Sequence, residues 1–227
     1  MTDRSATVVS VERAPGGLRR IRIDDGRGFL VRAGADQAPL PEPGTVLGPD
    51  DLALLEGPAM REAGLVLAVH LLSRRERTAR QIRRSLAEEG IADPGAIDHI
   101  IETLTAKGYI DDRRYAAELI AFRKEHRPAG TALLRRVLGE AGVDRETVDD
   151  ELRRAFPPGE ERRAAEEAAA RRLSERGTGD RERDARRMHG FLSRRGFSAG
   201  TIGGICASIL REGRIGATDE RDDTHGA

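Results

Sequence analysis

The chain has 227 residues, room for one or two domains, and its 39 basic side chains balance 39 acidic ones. A protein coated in positive charge for bulk nucleic-acid binding is thereby excluded, although a local basic face is not. Aromatic residues make up 3% of the chain, tryptophan is absent and 34% of residues are charged, so a single large core is hard to build and a thin stack of helices, each burying a narrow stripe, is favoured.

The start, Met1-Thr2-Asp3-Arg4, lacks the apolar core of a signal peptide. Between residues 6 and 32, Val9 and Val11, Ile21 and Ile23, then Phe29 and Val31 alternate with polar neighbours at period two. Gly16-Gly17 and Asp25-Gly26 at the joints favour tight turns. A three-stranded antiparallel meander is expected, followed over 33–48 by a loop rich in Ala, Gly and Pro; together they make residues 1–48 a small β segment. Pro49-Asp50-Asp51 opens a short helix carrying Leu52, Leu54 and Leu55. The longest apolar run, Leu65 to Leu72, is broken by His70 and falls far short of the roughly 20 residues a membrane span needs.

From there a helical signal recurs three times. Gly90-Ile91, Gly142-Val143 and Gly196-Phe197 each follow a leucine four residues back (Leu86, Leu138, Leu192) and an apolar residue eight back (Ile82, Leu134, Met188). Thr78, Gly130 and Asp184 stand as helix starts twelve residues before the glycines, and Asp93, Asp144 or Ser198 caps the next helix, whose apolar face begins at Ile97, Val148 or Ile202. One helical unit used three times is the signature of a repeat architecture. The units are expected at 49–108, 109–157 and 158–212, in an extended curved array, with a disordered acidic tail at 213–227.

In the first unit Thr78 and Gln81 have capping-box spacing, and the helix after Asp93-Pro94 buries Ile97, Ile101 and Leu104 before stopping at Gly108. In the second, Asp111 caps a helix with Tyr115, Leu119 and Phe122 on one face; Pro128 separates it from the next helix, and a third helix carrying Val148 and Leu152 ends before Pro157. The third unit opens near Gly159 with an Ala/Glu/Arg helix. Gly203-Gly204 inside its last helix reads as a weak or closely packed segment, and Cys206 as a small buried thiol.

No constellation points to catalysis. The five histidines are scattered without metal-ligand spacing, and no glycine-rich phosphate loop exists. Asp98 and His99 are adjacent, so their side chains diverge on a helix, and Asp111-Asp112 reads as a cap and a first-turn acid. No catalytic residue, cofactor, metal or small-molecule substrate is expected. The single cysteine excludes an internal disulfide and fits a reducing, cytoplasmic setting with no membrane partner.

The candidate binding residues are arginines. Arg74, Arg75, Arg77, Arg80, Arg83 and Arg84 face Glu76 alone within 74–84. Arg77, Arg80 and Arg84 are three and four apart, which places them on one face of the second helix, away from Ile82 and Leu86. Arg135 and Arg136 recur at the offsets of Arg83 and Arg84, whereas the third unit has His189-Gly190 there. Two readings stand: a solvated face helped by pairs such as Arg84 with Glu88, or contact with phosphates or an acidic protein surface.

The stretch Leu72-Ser73-Arg74-Arg75-Glu76-Arg77-Thr78, then Gln81-Ile82 and Leu86, then Gly108-Tyr109-Ile110-Asp111-Asp112-Arg113-Arg114-Tyr115-Ala116, resembles the RecX family, regulators of the bacterial RecA recombinase. Arg75, Arg77, Thr78, Gln81, Ile82 and Leu86 occupy that family's Arg, Arg, Ser, Glu-Leu and Leu places; Thr for Ser and Gln for Glu depart from it but keep the capping chemistry. The resemblance covers roughly 57–210 and is weakest in the third unit. It implies a non-catalytic array of three-helix repeats that docks along the RecA–DNA filament and curbs its growth, ATP hydrolysis and strand exchange. The residues alone also admit a helical protein binding DNA directly, or a helical scaffold for another protein.

Overall fold

A computed structural model of the chain describes residues 5–32, 39–91, 93–213 and 215. All but two of residues 213–227, and with them the expectation of a disordered tail, lie outside the described residues. The chain is mainly α-helical with a small N-terminal antiparallel sheet, and it divides into two compact units after Tyr115.

The first unit begins with β1 (Ala6–Arg13), β2 (Leu18–Ile23) and β3 (Gly28–Arg32), paired antiparallel as the alternation predicts. A fourth strand, β4 (Val46–Leu47), corrects the expectation of three: it lies at the end of the proline-rich segment and pairs with β1, giving the order β3-β2-β1-β4. Two residues are too few to carry a period, so no alternation announces it. A bulge between Val8 and Ser10 shifts the register of β1. It turns Val8 inward and leaves Val9 58% exposed, reversing the expected face there. Phe29, Leu30 and Val31 are all buried, although neighbours in a strand point to opposite faces. Both faces of β3 are covered, with α1 (Pro49–Glu56) and α2 (Pro58–Leu72) packed on it.

The rest of this unit is α3 (Ala79–Glu88), α4 (Pro94–Ala106) and the first residues of α5 (Asp112–His126). The core joins Leu18, Ile21 and Leu30 of the sheet to Leu67, Ile82, Leu86, Ile100 and Leu104 of the helices. Gly64 of α2 lets α4 come close: a Cβ there would lie 2.5 Å from the Ile100 side chain.

The second unit holds the remainder of α5, α6 (Thr131–Ala141), α7 (Arg145–Ala155), α8 (Glu160–Arg176), α9 (Arg181–Arg194) and α10 (Ala199–Glu212). The buried residues of α5 are Ala116 and Ile120, not the expected Tyr115, Leu119 and Phe122. The stripe is rotated by one residue, and Phe122, 53% exposed, stacks on His126. Ala165 and Ala169 of α8 pack with Met188, Leu192, Phe197, Ile202 and Ile205 of the last two helices.

The recurring glycines have one structural cause. Gly90, Gly142 and Gly196 are left-handed, with φ of +100°, +96° and +74°. The following N–H turns back to the leucine carbonyl: Ile91 to Leu86 at 3.1 Å, Val143 to Leu138 at 3.1 Å and Phe197 to Leu192 at 3.3 Å. This is the helix-ending motif in which a glycine reverses the chain and the next apolar residue packs back on the last turn. Ile91, Val143 and Phe197 are accordingly buried.

The caps follow the sequence with one correction. Thr78 accepts from Gln81 N–H at 3.1 Å, Asp93 from Gly95 at 3.0 Å, Asp144 from Thr147 at 2.8 Å and Ser198 from Thr201 at 3.4 Å. In α9, however, the cap is Asp180, which accepts from Glu182 and Arg183 at 3.1 Å each. Asp184 lies one turn inside the helix, 6% exposed, and accepts from Thr178 N–H and hydroxyl and from Gly179 N–H. Its carboxylate is held below the usual range, first by the Thr178 backbone bond. The Gly203-Gly204 pair of α10 is exposed, with open space where each Cβ would stand, so close packing is not its explanation. Cys206 is half-buried, and burial raises its thiol pKa.

Candidate partner-binding interface

The arginines of the first unit fall into two settings. Arg74 and Arg75 are exposed on the connection between α2 and α3. Arg77 is on that connection too, because α3 starts only after its Thr78 cap; it does not share a helix face with Arg80 and Arg84 as the spacing predicts. It is half-buried, its Nε has no hydrogen-bond partner, and burial, then the charge of Arg75, lowers its pKa. Arg80, Arg83 and Arg84 are exposed on α3, whose buried residues are Ile82 and Leu86. Arg84 pairs with Glu88 at 2.7 Å, one turn on, as its spacing predicts, and Arg83 pairs with Asp98 of α4.

In the second unit Arg135 of α6 pairs with Asp149 of α7 at 2.9 Å. That hydrogen bond, followed by the charges of Arg135 and Arg145, holds the Asp149 carboxyl low. Arg136 is exposed. Arg83–Asp98 and Arg135–Asp149 are the same interaction: each arginine lies seven residues before the turn glycine, and each aspartate five after the next cap. His189 and Gly203 stand at those two offsets in the third triplet, so the pair is absent there. Asp98 and Asp149 were open to discovery by that offset; the pairing was not.

Each unit thus carries both paired and unpaired arginines. Among the described residues Arg74, Arg75, Arg77, Arg80 and Arg136 make no ion pair, while Arg83, Arg84 and Arg135 do. The pairs are exposed, and such pairs contribute about 0–1 kcal/mol. A partner's carboxylate or phosphate can therefore replace the internal acid at little cost, and a guanidinium offers two parallel donors to either.

The run from Gly108 to Tyr115 bonds to α3 and to the connection before it. Gly108 is left-handed at the end of α4, and Ile110 is buried. Asp111 caps its own helix, accepting from Arg114 N–H at 2.9 Å. Asp112 instead reaches α3 and accepts from Ala79 N–H at 2.9 Å. Arg114 bridges Glu76 at 3.0 Å and the Gly108 carbonyl at 3.2 Å, and Gln81 donates to the Tyr115 hydroxyl at 3.4 Å. Tyr109 is 54% exposed. In the second unit Glu161 of α8 plays the part of Asp112, accepting from Thr131 N–H of α6 at 2.9 Å. In both cases a carboxylate from the first turn of one triplet caps the middle helix of the triplet before it.

Among the described residues no group of three or more His, Cys, Asp and Glu is placed to hold a metal, and no helix is long and apolar enough to cross a membrane.

Three helical stretches ending in one kind of turn, two of them sharing an Arg–Asp pair and a capping carboxylate, define a mainly helical protein with an N-terminal sheet. Proteins named regulatory protein RecX are its relatives. That of Halorhodospira halophila is 34% identical over 158 residues, 67% of this chain and 92% of the relative. Those of Trichlorobacter lovleyi and Mycobacterium leprae are 33% and 30% identical, covering 60% and 66% of this chain and 88% and 86% of the relatives. The chain belongs to the RecX family of regulatory proteins. No family model matches it. Two solved structures share the fold, each with a TM-score of 0.55 and 21% identity: a crystal structure of regulatory protein RecX, covering 87% of this chain and 97% of that one, and RecX from Lactobacillus salivarius, covering 66% and 96%.

Proposed function

We propose that the chain is a non-enzymatic cytoplasmic regulator that binds the filament of RecA on DNA and inhibits its recombinase activity. Membership of the RecX family is the observation that carries this reading. The basic residues Arg74, Arg75, Arg77, Arg80, Arg83, Arg84, Arg135 and Arg136 are the proposed contacts. The repeat boundaries belong to the same proposal: 49–108, 109–157 and 158–212 as three copies of one unit. The shared turn and the cross-triplet carboxylates Asp112 and Glu161 support all three, and the Arg–Asp pair supports the first two. A filament presents the same surface at regular intervals, and copies of one unit can meet successive intervals so that weak contacts reinforce one another.

A second reading, direct binding to DNA, is favoured by the exposed Arg74, Arg75, Arg80 and Arg136, which make no ion pair among the described residues. The zero net charge weighs against it. The test adds substoichiometric protein to RecA on single-stranded DNA and follows ATP hydrolysis and strand exchange. Both rates fall if the filament is the target. Unchanged rates at excess protein remove the assignment, and salt-sensitive binding to bare DNA without an effect on RecA favours the second reading.

A further inference from the structure

The second unit carries a further basic cluster, built from α8, the end of α9 and the connection after α5 and using neither arginine assigned on α6. Arg195 closes α9, and its guanidinium lies over the Phe191 ring, 4.9 Å from the centroid. Arg172 of α8 lies over the same ring at 5.2 Å. Arg195 Nη1 donates to the Pro128 carbonyl at 2.9 Å, which fixes the group in the corner where α5 gives way to α6. Arg123 and Arg127 of this corner, with Arg172, repel Arg195 and add to burial in lowering its pKa.

The cations of this unit fall into two groups. Lys124, Arg135, Arg153, Arg154, Arg162 and Arg163 each have a carboxylate partner. Arg123, Arg127, Arg172 and Arg195 make no ion pair among the described residues. Arg172 and Arg195 line a cavity of about 170 Å³ that also meets Lys124, Arg171 and the acids Glu125, Glu167 and Glu175. Lys124 is held by Glu160 at 2.9 Å, and Glu125 faces His126 at 3.8 Å. What sets Arg172 and Arg195 apart from other unpaired arginines of the unit, such as Arg136 and Arg171, is that both guanidiniums lie over the Phe191 ring, and Arg195 also donates to a carbonyl.

We propose that Arg172 and Arg195, assisted by Arg123 and Arg127, form a phosphate-binding site. The cavity is large enough for one small anion. Four oxygens of a tetrahedral phosphate can accept from several guanidiniums at once, whereas a carboxylate offers two. A phosphodiester of a nucleic acid and a free phosphate share this chemistry. The site stands independently of the RecA reading, since it uses none of the arginines assigned there.

The test observes the arginine Nε–H signals of the full chain while sodium phosphate is added, with sodium chloride at equal ionic strength as reference. Phosphate-specific shifts are expected at Arg172 and Arg195. Arg127→Gln, at an exposed position, should weaken phosphate binding several-fold, and the double variant with Arg172→Gln tenfold or more, with folding checked by circular dichroism. An arm with a single-stranded oligonucleotide separates the sources: competition assigns the site to a nucleic-acid backbone, and its absence to a free phosphate. Shifts no larger than with chloride, unchanged affinity in Arg127→Gln, or equal competition by polyglutamate overturn the proposal. Arg80→Glu with Arg84→Glu should leave these shifts intact, so this site and the α3 face fail separately.

Discussion

The Asp112 carboxylate accepts the backbone N–H of Ala79 at 2.9 Å, so the first residue of α5 caps the first turn of α3. Thr78 satisfies a second donor of that turn from within, through Gln81 N–H. Orphan N–H groups at a helix start cost stability unless a side chain accepts from them, and a carboxylate there also meets the positive end of the helix. Asp112→Ala is expected to destabilise the chain by about 0.5–2 kcal/mol, the range for loss of a capping side chain. Amide exchange at Ala79 should accelerate as the midpoint of denaturation falls. Glu161→Ala should act the same way on Thr131. Unchanged exchange at Ala79 in folded Asp112→Ala would show that the bond contributes nothing in solution.

The glycines separate into two classes with opposite expected signs. Gly196 is left-handed at φ +74°, and a Cβ there would lie 2.4 Å from Leu133 N. Backbone cannot give way as a side-chain tip can, so Gly196→Ala should destabilise by more than the roughly 1–2 kcal/mol of left-handed strain alone. Gly203 and Gly204 are ordinary helical positions with open space outside. Alanine at each should stabilise by about 0.5–1 kcal/mol, the helix-interior penalty of glycine. Thermal midpoints of the three variants check this; a loss at Gly203 or Gly204 would mean that the exposed face of α10 is covered in solution.

Much of this architecture was legible in the residues because its causes are local. A leucine, a left-handed glycine and a packed apolar residue within six positions make a complete helix stop, so Gly90, Gly142 and Gly196 could be read directly. What escaped depends on partners distant in the chain or on a choice between equivalent residues. Asp112 carries no local mark that it serves a helix 33 residues back. Asp180 and Asp184 are both good caps one turn apart; the one engaged with the Thr178 turn is not the one at the helix start. Arg77 matched the helical spacing of Arg80 but sits before the Thr78 cap, where that spacing has no meaning. The basic face was recognisable as residues, while the neutralisation of Arg83 and Arg135 required the folded positions of Asp98 and Asp149.

Acid should loosen the second unit. Backbone and side-chain bonds from Thr178 lower the Asp184 pKa, the Arg135 hydrogen bond lowers that of Asp149, and the Lys124 hydrogen bond lowers that of Glu160. A carboxyl with a lower pKa when folded is protonated first in the unfolded chain as pH falls. The stability from these groups is therefore complete above the ordinary carboxyl range, about pH 4, and is lost as pH falls through it towards the lower folded values. The thermal midpoint should fall below about pH 4. Asp184→Asn should start lower at neutral pH and show a shallower acid decline. An acid profile of Asp184→Asn superimposable on that of the parent chain would contradict the assignment.

If the exposed basic face of α3 meets the RecA filament, reversing its charge should break the contact. Arg80 and Arg84 are the residues to change, since both are exposed on the helix and neither is needed to bury Ile82 or Leu86. The double variant Arg80→Glu with Arg84→Glu adds a repulsion between positions 84 and 88 of only a few tenths of a kcal/mol, so it should fold. Titration against RecA on single-stranded DNA at two salt concentrations, with the helical signal confirmed first, is the measurement. Markedly weaker binding and a flatter dependence on salt are expected. A folded double variant with the affinity and salt slope of the parent chain would contradict it and leave the α3 arginines as a solvated face.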